Sequence, residues 1–242
     1  MVWKILLCIL FGYLVGCINP TYIIGRLRGI DVRKHGSGNA GASNALILMG
    51  KYIGIFSALF DIFKAAGVMW LAPVIFKDVP CIAEIAGVAC TIGHVFPVFM
   101  KFKGGKGLAC LGGILLALDW RLLLIVLAIE IVLVLVVNYI CVVPITASIA
   151  LPIIYGVFGG MNLDWLKRAE GGWPAIWILS IVTVVMLAKH VQNIYRIATK
   201  TEMHFNYLWS KDKDGERARV ERNREKLREK KLAKQQKKEA NG

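Results

Sequence analysis

Charge is scarce in most of this chain. Of the 30 Lys+Arg and 16 Asp+Glu in 242 residues, the stretch 211–242 takes 13 and 7, leaving 17 and 9 for the first 210. That is about half the charged share of a soluble globular domain, so water is not the solvent for most of the surface. Other absences exclude particular chemistries. The six cysteines (Cys8, Cys17, Cys81, Cys90, Cys110 and Cys141) form no CxxC pair and no Cys/His metal spacing, which leaves buried thiols rather than a disulfide framework or a metal site. No glycine-rich loop ends in Gly-Lys-Ser/Thr, so a Walker A phosphate loop is excluded. A Ser-His-Asp or Cys-His signature for covalent catalysis is missing too. No internal repeat supports a transporter built from paired halves, a reading that would use Asp61, Lys64 and His190 as a polar pathway.

What the chain has instead is apolar length. It is 57% hydrophobic with mean hydropathy +0.58. Runs approaching the roughly 20 residues needed to cross a bilayer recur near 2–24, 50–76, 82–100, 107–118, 121–138, 141–160 and 173–194. These predict an all-α integral membrane protein of about seven transmembrane helices, organised as a membrane domain over 1–205 and a charged tail over 206–242. The first run continues through Gly12, Gly16 and Pro20 without a convincing cleavage site, so it reads as a retained helix rather than a signal peptide.

With seven crossings and the N-terminus outside, one side receives Arg26, Arg28, Arg33, Lys34, Lys51, Lys101, Lys103, Lys106, Lys189, Arg196, Lys200 and the tail. The other receives Lys4, Lys77, Arg121, Lys167 and Arg168. The positive-inside rule makes the first side cytoplasmic and the inner (plasma) membrane the expected location. The tail has too few apolar residues to bury a core, so solvated helix or disorder is expected. Anionic lipid headgroups are its simplest partner, and nucleic acid is not expected.

Three polar clusters fall on that same side. Residues 35–44, His-Gly-Ser-Gly-Asn-Ala-Gly-Ala-Ser-Asn, place three glycines in six residues among hydroxyls and amides. They read either as a ligand loop beside a helix N-terminus or as a turn with Ser43 or Asn44 as the helix cap. Residues 93–107 hold Lys103-Gly104-Gly105-Lys106-Gly107, whose backbone amides and ammonium groups suit a phosphate; the alternative is lysines that merely orient the chain. The third cluster runs from His190 to Glu202, with His190 and Asn193 on one helix face. A histidine bonded to a backbone carbonyl is the plainer interpretation there. Asp61 and Lys64, also three apart, read first as an ion pair and second as a ligand contact.

Taken in order, the motifs Ser37-Gly38-Asn39-Ala40-Gly41-Ala42-Ser43-Asn44, Gly93-His94 through Lys103-Gly104-Gly105-Lys106-Gly107, and His190-Val191-Gln192-Asn193-Ile194 with Glu202 resemble those of the bacterial acyl-phosphate:glycerol-3-phosphate acyltransferases. The resemblance spans most of residues 1–205. It implies a polytopic enzyme that moves a fatty acyl group from acyl phosphate to the first hydroxyl of glycerol 3-phosphate, with no cofactor and no metal. It implies catalytic roles for Ser37, His190 and Asn193, and substrate binding by Gly38, Asn39, Gly41, Asn44, Lys103, Gly104, Gly105, Lys106 and Gly107. Glu202 would serve structural integrity. The chain departs from the family's pattern at Ile47, where the family carries arginine, and at Asn138 and Cys141, where it carries arginine and serine. The departures keep a second reading open, a binder of acyl or phosphate lipids without turnover. Since the clusters end by Glu202, turnover is expected to survive loss of 211–242.

The loop charges generate a direct test of topology. A cysteine placed in the tail should react with a membrane-impermeant thiol reagent only after cells are permeabilised. Labelling of the tail in intact cells would reverse the orientation and move the polar clusters outside.

Overall fold

The structure, a computed structural model, describes residues 1–159, 172–208 and 212–239. Among the described residues the chain is helical with no strand. Ten α-helices follow one another: α1 (Val2–Cys17), α2 (Pro20–Leu27), α3 (Ala42–Met49), α4 (Lys51–Ile75), α5 (Ile82–Val95), α6 (Leu108–Leu118), α7 (Trp120–Val137), α8 (Val142–Gly159), α9 (Gly172–Ala198) and α10 (Lys213–Glu239). Single 3-10 turns lie at Val98–Met100 and Phe205–Leu208. The expected loop carrying Lys167 and Arg168 lies outside the described residues.

Local chemistry breaks two of the expected runs, 2–24 and 82–100, and parts the first polar cluster from the run at 50–76. Pro20 cannot donate a helical hydrogen bond and drives Asn19 into extended backbone, so the first run becomes α1 and α2, bent by 41°. The Asn19 carboxamide oxygen caps α2 by accepting from the Tyr22 amide at 2.8 Å. Gly50, at φ +90°, separates α3 from α4, so the first polar cluster opens a short helix of its own rather than the second span. Pro97 follows the end of α5, and only the turn at Val98–Met100 continues the third run.

Among the described residues four helical segments are long and apolar enough to cross a membrane: α4, α5 with its 3-10 extension to Met100, α7 and α9; the bent pair α1–α2 makes a fifth. Two further apolar stretches, α6 and Val142–Val157 of α8, are shorter. At 1.5 Å per residue an 11-residue helix such as α6 rises about 16 Å, roughly half the hydrocarbon thickness. The expectation of about seven spans is therefore met only in its coarser form, a multi-helix membrane protein.

Where apolar solvent surrounds the bundle, burial of apolar area does not by itself bring helices together, and close backbone packing takes over. Gly12 and Gly16 lay α1 directly on α5: a Cβ at Gly16 would overlap the Cys90 carbonyl, and one at Gly93 would overlap the Tyr13 carbonyl. Gly113 of α6 stands equally close to the Ile62 carbonyl of α4. The residues of α7 that are buried are Leu122, Val126, Glu130 and Val134, one stripe at four-residue spacing, while its other faces present Leu, Ile and Val outward. The one carboxylate on that stripe, Glu130, accepts from the Thr146 hydroxyl of α8 at 2.8 Å. Near the start of α5, Glu84 likewise accepts from the Tyr155 hydroxyl of α8 at 2.7 Å.

This packing makes glycine positions unequal. Gly16→Val should lower the thermal midpoint and folded yield through overpacking of about 1–3 kcal/mol or more, because a backbone carbonyl stands in the way. Gly67→Ala on α4, where nothing lies within 4 Å of the added carbon, should be neutral or stabilising. Equal behaviour of the two variants in a thermal melt of purified protein would refute the close α1–α5 contact.

Candidate active site

The site is assembled around a charge held inside the bundle. Lys64 of α4 sits 2.6 Å from Asp61 and 3.2 Å from His94 Nδ1, and its ammonium donates to the Gly16 carbonyl at 3.1 Å and the Ile18 carbonyl at 2.7 Å. All three ionisable side chains are buried. The ion-pair interpretation of Asp61 and Lys64 thus extends to a third member, His94. Asp61, His94 and Cys110 gather within metal-binding distance of one another. The Lys64 ammonium already supplies the positive charge a cation would bring there.

From this core the second cluster is hung. Gly105 donates its amide to the His94 carbonyl at 3.0 Å and Gly104 to the Val95 carbonyl at 3.2 Å. Side chains at either glycine would overlap His94. The expectation that this glycine pair turns its amides toward a ligand is therefore corrected: those amides bind the end of α5, and the glycines are small because His94 is close. Lys103 is exposed on the preceding turn. Gly107, at φ +90°, opens α6, whose first amides lack intrahelical acceptors.

Lys106 then meets the third cluster. Its ammonium donates to the Asn193 side-chain oxygen at 2.7 Å, and the Asn193 amide donates to Glu202 Oε1 at 3.0 Å. Burial pushes the Lys106 pKa down and Arg196 and Lys189 add to this, against the opposing pull of Glu202. His190, buried, has Nδ1 2.8 Å from the Met186 carbonyl; a carbonyl only accepts, so this nitrogen carries the proton and Nε2 carries the lone pair of the neutral ring. The plainer interpretation of His190 is correct for one ring nitrogen and leaves the other available. Cys141 lies close enough to Lys106 and Glu202 to interact with both.

The first cluster is held by asparagines. The buried Asn44 donates to the Val32 carbonyl at 2.7 Å and the His35 carbonyl at 3.1 Å, and accepts from the Ser37 amide at 2.8 Å. Neither Ser43 nor Asn44 caps α3; Gly41 occupies that place. Asn44 spends its polar atoms shaping the loop, and Asn19 secures the loop's other end through the Ala40 carbonyl at 2.8 Å. Ser37 and Gly38 are exposed at the tip, with Asn39 and Gly41 half-buried behind them. Among the described residues no hydrogen bond joins Ser37 to Lys106 or His190. The loop is instead docked on the second cluster by Arg33, which donates to the Met100 carbonyl at 2.8 Å. Arg33 is itself held by two bonds of 2.9 Å to Asp31, and its guanidinium keeps that carboxyl well below the usual range. Of the residues that differ from the family's pattern, Ile47 is exposed on α3 and only Cys141 reaches the cluster.

The tail is a helix and is not free of the site. Arg219 donates to the carbonyls of Lys200 at 3.1 Å and Glu202 at 2.9 Å, and Asn223 to that of Lys200 at 2.8 Å. Glu216 pairs with Arg219 at 2.6 Å and accepts from the His204 amide at 2.9 Å. The Arg219 bond lowers the Glu216 pKa from 4.5 to about 2, so its share of the clamp is complete above pH 4.5 and fades as pH falls toward 2. Asn138 completes the fastening by accepting from the amides of Phe205 at 2.7 Å and Asn206 at 2.9 Å.

Known proteins resemble this chain over most of its length. A family profile described as glycerol-3-phosphate acyltransferase matches residues 6–200. Glycerol-3-phosphate acyltransferase 1 of Oceanobacillus iheyensis is 33% identical over 210 residues, covering 84% of this chain and 95% of that protein. The glycerol-3-phosphate acyltransferase of Brucella anthropi is 37% identical over 196 residues, 80% of this chain and 90% of its own. Among solved structures, PlsY (YgiH), an integral membrane glycerol 3-phosphate acyltransferase, is similar in its glycerol 3-phosphate form at a TM-score of 0.72 and 28% identity, over 84% of this chain and 96% of that one. Its lysophosphatidic acid form gives 0.70.

The clamp changes what is expected of a truncated protein. Arg219→Ala, or removal of 211–242, loosens the Lys200–Glu202 segment that holds Asn193 and Lys106. The acceptor KM should rise a few-fold, the size of about 1 kcal/mol of lost hydrogen bonding, with kcat nearly unchanged. Unchanged KM in both variants would return the tail to an independent appendage.

Proposed function

The chain belongs to the glycerol-3-phosphate acyltransferase family, and we propose that Lys106, tied to Asn193 and close to His190, is where its two anionic substrates meet. The enzyme transfers a fatty acyl group from acyl phosphate to the 1-hydroxyl of glycerol 3-phosphate, giving lysophosphatidic acid and phosphate for phospholipid synthesis. The observation that carries the site reading is the Lys106–Asn193–Glu202 chain, which joins two of the three polar clusters.

Acyl phosphate is a mixed anhydride with a good leaving group, so the acceptor oxygen attacks the acyl carbon directly. The carbon–oxygen bond to phosphate breaks, and the hydroxyl proton leaves toward a base. His190 Nε2 is available as that base. The Lys106 ammonium and the first amides of α6 stabilise phosphate charge, and positioning supplies the rest of the rate. Ser37, Gly38, Asn39 and Gly41 line the approach from the first loop, Asn44 acts by shaping it, and Lys103 attracts the anions from its exposed turn. The glycines at 104, 105 and 107 let the backbone place Lys106. An apolar cleft of about 240 Å³ beside the α1–α2 bend, reaching Phe99 and Met100, suits the acyl chain.

For topology, we read α6 and α8 as completing seven crossings, with the N-terminus outside and the clusters and tail cytoplasmic. Loop charge supports this orientation. The non-catalytic reading draws on Cys141, whose thiol is a weaker phosphate partner than the hydroxyl the family carries there.

The separating experiment is purified protein given palmitoyl phosphate and labelled glycerol 3-phosphate, with acyl carrier protein and coenzyme A thioesters as other donors. Lysophosphatidic acid should appear with one phosphate released per turnover. Lys106→Ala should raise acceptor KM roughly ten- to hundred-fold, the loss of a 1.5–3 kcal/mol charged contact, while His190→Ala should act chiefly on kcat. Unchanged constants in both variants, each inserted at wild-type levels, would reject the site; absence of product from the wild type would favour the binder.

A further inference from the structure

The tail helix carries more arginine than its clamp uses. Arg219 is consumed by Glu216 and the Lys200–Glu202 carbonyls, but Arg224 and Arg228, one turn apart on α10, have no carboxylate within 4.0 Å among the described residues. Together with Arg196 of α9 they line a cleft of about 440 Å³, completed by Gln192, Tyr195, Thr201 and Leu227. The carboxylate nearest Arg196 is Glu202 at 4.0 Å, and its other oxygen is engaged by Asn193. Three guanidinium groups sharing one cleft repel one another until an anion enters, and their planar forks match phosphate oxygens.

Position narrows the class of ligand. Arg196 and Tyr195 lie in the last turn of α9, a helix long enough to span the membrane, so the cleft opens at the bilayer surface, where tyrosine is favoured and anionic headgroups concentrate. Leu227 gives the cleft an apolar wall beside its charges. The family profile ends at residue 200, so Arg224 and Arg228 lie outside the region shared with the acyltransferases.

We infer that the cleft between α9 and α10 is a second anion site, apart from the Lys106 cluster, which holds the phosphate of an anionic phospholipid headgroup and fastens the tail helix to the membrane surface. Because the same helix grips Lys200 and Glu202, headgroup binding stabilises the segment that positions Asn193 and Lys106.

The test uses full-length protein and the Arg224→Gln/Arg228→Gln variant in nanodiscs of phosphatidylcholine carrying graded fractions of phosphatidic acid. The readout is the thermal unfolding midpoint, independent of turnover. The wild-type midpoint should rise with phosphatidic acid, and the variant should need roughly 30-fold more for the same rise, at about 1 kcal/mol per lost basic contact. Arg224→Lys/Arg228→Lys, which keeps the charge and loses the fork, should fall between them. A parallel titration with inorganic phosphate in phosphatidylcholine discs, at matched ionic strength, distinguishes the source. A phosphate response that the Gln variant loses would assign the cleft to free phosphate and overturn the lipid reading. Identical lipid responses in wild type and variant, or none in either, would overturn the site itself.

Discussion

Lys64 has to find every partner inside the protein, because hydrocarbon offers none. A charge at mid-membrane costs about 2.5–3.5 kcal/mol on insertion scales, and here the ammonium is answered by Asp61, by His94 and by the two carbonyls that end α1. Satisfying that one group fixes three elements at once. The frayed end of α1 is drawn to α4, the bend at Asn19–Pro20 follows, and His94 is set on α5 with its carbonyl aimed at Gly105. The loop leading to Lys106 inherits its position from this cluster, which is why it tolerates no side chain at 104 or 105.

Loops outside the bundle are organised by a different device. Asparagine carries a donor and an acceptor on a short stem, so one buried residue can replace the backbone hydrogen bonds a loop lacks. Asn19 closes one end of the first loop and Asn44 its centre, while Asn138 takes hold of Phe205 and Asn206. Asn193 does the same between Lys106 and Glu202. A charged residue in place of Asn19 or Asn44 would bring an ion into a buried setting without a counter-ion. The amide gives direction without that penalty.

The departures at Asn138 and Cys141 take on meaning in this setting. Asn138, in left-handed backbone at the end of α7, holds the start of the segment that leads into the tail. The tail helix in turn grips the carbonyls of Lys200 and Glu202. A chain that carries a docked helix beyond the family's shared region has thus tied it to the segment that holds Asn193.

Hydropathy alone located the apolar runs, because membrane crossing is a local property of about 20 consecutive residues. The motifs at 37–44, 93–107 and 190–202 were likewise legible in order and spacing, and with them the family. Pro20 also announced the bend in the first run, although the length of that run concealed it, and Gly50 marked where the second run begins. What the sequence left open was which polar atoms face a ligand and which face the protein. Lys64 reaches carbonyls 46 and 48 residues away and Lys106 an amide 87 residues away, contacts that no window of neighbouring residues contains. The glycines at 104 and 105 read as a phosphate cradle in one dimension and prove to be clearance for His94 in three. Asn44, read as a ligand or a cap, binds its own loop. Residue type determined what each group is able to bind; only the packing of distant helices decided which partner comes within hydrogen-bonding reach.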